Sequence, residues 1–205
     1  MSGDVHVRFS EGLGVRFPRA TRPVMVFAKE SDARKVLDVL PKRFARYGLT
    51  LHPEKTRLVP FKRPNQRPSQ GPPRASRPGT FDFLGFTHLW GVSRKGTWTV
   101  QRKTAKDRFS RALRAVSGWC RVHRHLPIRA QWEKLGLKLR GHYAYYGIPG
   151  NARSLDRFRH FAERAWQKWL SRRSHRARIP WDRFALVQAR YPLPAIRLLR
   201  PPRVT

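Results

Sequence analysis

The side chains best equipped for chemistry in this sequence are cations and aromatic rings. Lys and Arg number 45 against 12 Asp and Glu, a net charge of +33. The basic residues are spread: residues 1–100 carry 19 Lys and Arg, residues 101–205 carry 26. A compact fold with that charge repels itself, and a polyanion relieves the repulsion while releasing condensed counterions. Arginine predominates, and its planar fork suits phosphate and stacks on bases. The densest run is Arg172-Arg173-Ser174-His175-Arg176-Ala177-Arg178, with Arg102-Lys103 and the Lys55–Arg57 stretch as smaller clusters. We read Lys55, Arg57, Arg102, Lys103, Arg172, Arg173, Arg176 and Arg178 as phosphate contacts.

The other chemistries are poorly provided for. Asp82, Asp107, Asp156, Asp182, Glu54, Glu133 and Glu163 are scattered. Asp107, Asp156 and Glu163 fit polar helix faces, and Asp182 fits a first helical turn, where the macrodipole favours an acid. Of eight histidines only His123 and His125 are close, two apart on a helical pattern and so on different faces. The single cysteine, Cys120, permits neither an internal disulfide nor a thiolate zinc site, and fits a reduced, cytoplasmic setting. No catalytic residue, metal ligand or cofactor is expected. An apolar signal core, a lipid-anchor motif and an apolar stretch of about 20 residues are all lacking, so a membrane is not an expected partner.

The richest cluster is Gly141-His142-Tyr143-Ala144-Tyr145-Tyr146-Gly147. Three tyrosines in four helical positions cannot all face one core. Tyr143 and Tyr146 follow the apolar stripe. Tyr145 and His142 are then expected to point partly outward, beside Arg140 and Arg153, where rings stack on bases while cations hold phosphates.

The elements that must position these groups follow from periodicity. Val24–Ala28 is a strand-length apolar run. Ser31 is placed to cap a helix with Val36, Leu37, Leu40, Phe44 and Tyr47 on one face, kinked or divided at Pro41 and stopped at Gly48. Leu49–Leu51 and Thr56–Phe61 are short strand candidates. Residues 62–79, rich in Pro and Arg, read as a linker. Phe81–Trp90 and Trp98–Gln101 read as a hairpin across a turn at 91–96. After residue 103 the period becomes helical. Thr104 caps a first helix with Phe109, Ala112, Leu113, Val116, Trp119, Cys120 and His123. Pro127 starts a second with Trp132, Leu135, Leu139, Tyr143 and Tyr146. Ser154 starts a third with Leu155, Phe158, Phe161, Ala162, Ala165 and Trp169, and Trp181 to about Ala189 is a short fourth. The tail at 191–205 is extended and basic. Residues 1–23 carry no assignment and read as out of frame or disordered.

Two stretches carry a family resemblance. Gly-Leu-Thr-Leu-His-Pro-Glu-Lys-Thr-Arg at 48–57 and Gly-His-Tyr-Ala-Tyr-Tyr-Gly-Ile-Pro-Gly-Asn-Ala-Arg-Ser-Leu at 141–155 resemble the group II intron reverse transcriptase/maturase family. The resemblance covers roughly residues 24–200. It implies an α+β fold: a partial palm of short strands and a helix over 24–101, then an all-α thumb of three to four helices over 102–190. It also implies that Lys55 approaches substrate phosphates and that Phe83-Leu84-Gly85-Phe86 resembles the primer grip. The family's Tyr-Ala-Asp-Asp turn holds two metal ions for phosphoryl transfer. Counting back from Val24–Ala28, its aspartates fall on Thr21 and Arg22, and arginine repels magnesium. The fingers and the earlier palm strand are expected upstream of residue 1, and the zinc endonuclease many members carry is not expected here.

The resemblance therefore implies an RNA-binding maturase fragment, without polymerase activity of its own, that binds group II intron RNA or other structured RNA and assists splicing. An RNA–DNA primer–template is a further partner it implies. Two other readings stand beside it. One is half of a split RNA-directed DNA polymerase whose aspartates, and magnesium, come with another chain. The other is a general basic RNA-packing protein.

Overall fold

A computed structural model describes residues 24–52, 56–64, 79–174 and 178–198, and the backbone of 5–8. The readings made for Thr21, Arg22, Lys55, Arg176, most of the 62–79 linker and the end of the tail lie outside the described residues. The chain divides into two compact units, Met1–Gln101 and Arg102–Thr205. It is mixed α and β, with strands and one helix in the first unit and helices in the second, compatible with the expected α+β class.

In the first unit, β1 (Val5–Arg8) lies between β2 (Val24–Phe27) and β3 (Arg57–Pro60), antiparallel to both. Val5 pairs with Phe27 on one side and Pro60 on the other. This strand corrects the reading of residues 1–23 as wholly unassigned. Helix α1 (Glu30–Ala45) covers the sheet's apolar residues through Ala33, Leu37 and Leu40, against Phe27, Leu51 and Leu58. Pro41 lies inside α1 without dividing it. The one bond it deletes is to Leu37's carbonyl, and Pro41 itself stands about one turn from the helix end. Lys29, not Ser31, is the N-cap, and Tyr47 lies beyond the helix, 76% exposed.

A second sheet holds β4 (Phe81–Phe83), β5 (Phe86–Val92) and β6 (Trp98–Thr104), in that order. Phe81–Trp90 is not one strand. It folds back at Leu84 (φ 48°) and Gly85 (φ 79°), the two positive φ values of a type I′ hairpin turn. Gly85 is there for the turn. Phe61, Phe81 and Trp90 pack ring on ring, 5.1 and 5.5 Å between centroids.

The second unit is four helices: α2 (Lys106–Val122), α3 (Ile128–Tyr146), α4 (Ala152–Leu170) and α5 (Trp181–Arg190). Phe109 meets Phe158 near the starts of α2 and α4. Trp169 Nε1 donates to Ser117 Oγ near their ends (3.1 Å), so the two helices run in the same sense. α3 runs opposite to α4, with Gln131 near Trp166 and His142 near Phe158. The core is built on Leu135, Leu139, Leu155, Phe158, Trp166, Leu170 and Phe184. Trp166 is the ring at its centre, with none of its surface exposed, whereas the expected core residue Phe161 is 41% exposed.

Two buried amides organise the polar groups. Asn151 Nδ2 donates to Tyr146 O and Thr104 Oγ1, and its Oδ1 accepts from Thr104 N, all at 2.9–3.0 Å. The start of α4, the end of α3 and the end of β6 are thereby tied. Asn151 and Ala105 are consequently the N-caps where Ser154 and Thr104 were expected. Gln131 Nε2 donates to the carbonyls of Arg124 and Leu126 in the α2–α3 turn, and its Oε1 accepts from Trp166 Nε1 (3.0 Å).

The segment 191–198 is extended, as expected, but it is packed. Trp132 Nε1 donates to Pro192 O (2.8 Å) and Leu193 enters the core. At the far end of α3, a Cβ on Gly147 would collide with the carbonyl oxygens of Tyr143 and Arg197, so this close backbone approach requires glycine.

Candidate nucleic-acid interface

The basic run after α4 resolves into inward and outward members. Arg173 turns in: its Nε and Nη2 donate to the carbonyls of Arg124 and Leu126, both at 2.6 Å. Burial lowers its pKa. It is a strut for the α2–α3 turn, with two of its five N–H donors committed to carbonyls and the rest of the fork at the wall of the basic cavity. Arg172, next in the chain, turns out and is exposed.

Side-chain bonds bring the next segment back to α4. Gln167 Nε2 donates to Ile179 O (2.6 Å), and Ser171 Oγ exchanges two bonds of 3.1 Å with the Ile179 backbone. These bonds place Arg178 and Trp181 opposite Lys168 and Arg172. The result is a cavity of about 770 Å³ lined by Lys168, Arg172, Arg173, Arg178, Trp181 and the polar side chains of 167, 171 and 174. Among the described residues its lining holds four cations and no carboxylate. The Trp169 indole beside it carries Lys168, Arg172 and Arg121 at 5.4, 5.3 and 6.0 Å from its centroid. Among the described residues none of these three cations has a carboxylate partner. Held on ring faces, with their stems along apolar surface, they keep their charge available to an outside anion.

The tyrosine block divides differently from expectation. Tyr145 is 54% exposed, with Tyr146 edge-on at 4.8 Å. His142 is turned toward the helix interface, which corrects its outward placement. Its ring stacks on Phe158 at 3.7 Å and lies 4.6 Å from Tyr146. Burial lowers its pKa to about 4, so it is neutral at pH 7 and offers phosphate no charge. Its Nε2 is buried with no hydrogen-bond partner among the described residues. Positions 135, 139, 142 and 146 follow heptad spacing, so the inward turn has a sequence signal. Burial also raises the Tyr143 hydroxyl and the Cys120 thiol to about 12, which leaves both un-ionised and the thiol unreactive.

Arg140 lies over Gly136 of its own helix and, with Tyr143 and Arg197, lines a separate cavity of about 470 Å³. Arg153 is exposed in the first turn of α4. Arg102 and Lys103 are exposed neighbours on β6, and Arg57 is exposed on β3. The structure thus brings together Arg172, Arg173 and Arg178 of the expected set, and adds Lys168 and Trp181, which the sequence reading missed. Their signal was available: an aromatic at the first position of a helix, three residues after an arginine. Among the described residues no group of three His, Cys, Asp or Glu could hold a metal ion, and no helix is long and apolar enough to cross a membrane. Compared with known proteins, the chain matches no family model, no curated protein and no solved structure.

Proposed function

We propose that this chain binds structured RNA through the basic face of its helical unit, in the manner of the palm end and thumb of a group II intron reverse transcriptase/maturase. The observation that supports the RNA part is the Lys168–Arg172–Arg178 cavity, a cluster of cations without a carboxylate in a chain of net charge +33. Gathering exposed like charges side by side is unfavourable unless a polyanion joins them, and phosphate backbone is the polyanion that arginine forks fit best. The family part rests on the stretches at 48–57 and 141–155. In this reading residues 24–101 are the palm end and 102–190 the thumb, and RNA is held by shape and backbone rather than by sequence. The chain performs no polymerase step of its own, since Thr21 and Arg22 stand where the resemblance calls for aspartates.

The test is binding of the full chain to a folded group II intron RNA and to an unrelated RNA duplex of equal length, by fluorescence anisotropy. The proposal expects both to bind, the intron RNA about tenfold or more tightly, a margin of about 1.4 kcal/mol. Equal affinities would favour a general RNA-packing protein. Absence of binding to either would overturn the reading.

A further inference from the structure

Another cavity is lined by Trp181. It has a volume of about 520 Å³, within the roughly 300–1,000 Å³ range of small-ligand sites. Its walls combine apolar side chains, chiefly Leu113, Val116, Phe161 and Ala165, with the polar Ser117 and the cation Arg164. Gln167, Lys168 and Trp181 line both this cavity and the basic one, so the two adjoin. Trp181 is 50% exposed and Phe161 41%, unusual for large rings beside a core. Trp181 is nonetheless fixed: its indole stands edge-on to Phe184 at 5.7 Å, and Phe184 is fully buried against Trp166. The Gln167 nitrogen is committed to Ile179 O, which leaves its Oε1 to accept from an incoming N–H.

A held aromatic face, a partly apolar slot, one amide acceptor and an adjoining cluster of cations match a single nucleotide. An apolar peptide would fill the slot but leave the cations unmet. We propose that the Phe161–Trp181 cavity takes one unpaired base of a bound RNA, stacked on Trp181, with the flanking phosphates on Lys168, Arg172 and Arg178. The inference rests on the RNA-binding reading above and adds to it a preference for bulged or looped RNA over perfect duplex.

The full chain is titrated into a fluorescein-labelled RNA duplex and into the same duplex carrying one bulged uridine. The bulged RNA is expected to bind more tightly by roughly 5- to 150-fold, the span of stacking one base on an aromatic side chain. Phe161→Ala and Trp181→Ala are expected to bring the ratio of the two affinities close to one, while Trp181→Phe keeps most of the preference. Phe161 is 41% exposed and outside the hydrophobic core cluster, so its variant reports even where loss of Trp181 unfolds the chain. Equal binding of the two RNAs by the unaltered chain, or a preference that survives Phe161→Ala, overturns this inference alone. Failure of both RNAs to bind overturns it together with the RNA-binding reading.

Discussion

His142 makes the helical unit acid-labile by an amount that can be worked out. The rings facing it are Phe158, Tyr146 and Tyr143, and none offers a charge. The fold therefore holds the imidazole neutral, its pKa lowered from 6.5 to about 4 by burial. The unfolded chain takes up the proton at the ordinary value, so between those two pH values it binds more protons than the fold. The stability is complete above about pH 6.5 and is lost as pH falls toward about 4. At about pH 5 the loss from this one group is about 2 kcal/mol at full strength, and about 1–2 kcal/mol once partial solvent access is discounted. Phenylalanine at 142 keeps a ring on Phe158 and removes the nitrogen. Urea unfolding of the chain and of His142→Phe, followed by far-ultraviolet circular dichroism at about pH 7 and about pH 5, isolates the effect of the imidazole. The unaltered chain should lose about 1–2 kcal/mol more than the variant across that interval. Equal losses would refute the burial of a neutral imidazole.

Three further outcomes follow from the packing. Trp166→Ala should cost about 3–5 kcal/mol, because the ring is fully buried and its loss also strands Gln131 Oε1; denaturant midpoints measure this. Asn151→Ala should destabilise by about 2–4 kcal/mol, since Thr104 and Tyr146 lose their shared partner in a buried place, and the calorimetric Tm of the helical unit should fall with it. Neighbouring arginines should separate cleanly. Arg173→Ala should lower stability by about 1–3 kcal/mol by removing two charge-assisted bonds to turn carbonyls that then keep only Gln131, whereas Arg172→Ala should weaken RNA binding with the melting curve unchanged.

The helical unit was largely legible because its apolar stripes recur at three and four residues. The stripes of α2 and α3 enter the core as expected. What slipped was settled by tertiary partners that leave little local trace. Thr104 and Ser154 are good capping residues, yet Asn151 claims the Thr104 side chain and takes the α4 cap itself. Trp166 and Trp169 are three apart on one helix, and each indole finds its own distant partner, Gln131 for the buried ring and Ser117 for the other. Strand β1 is four residues long, too short for alternation of Val5 and Val7 with His6 and Arg8 to stand out. The β4–β5 turn was hidden because Leu84, not a glycine, takes the first positive φ. Of the candidate interface, the basic run was legible as composition. Which arginine faces outward was not, since that is decided by the Arg124 and Leu126 carbonyls some 47 to 49 residues away in the chain.

The central claim is that the cations around Trp181 hold RNA phosphates. The most direct measurement is the slope of log binding constant against log salt concentration for a structured RNA, taken for the unaltered chain and for the triple variant Lys168→Ala, Arg172→Ala, Arg178→Ala. Removing three phosphate-neutralising cations should make the slope shallower by about 2–3, at roughly 0.7–0.9 per phosphate, while circular dichroism shows the helices intact. An unchanged slope in a folded triple variant would contradict the account.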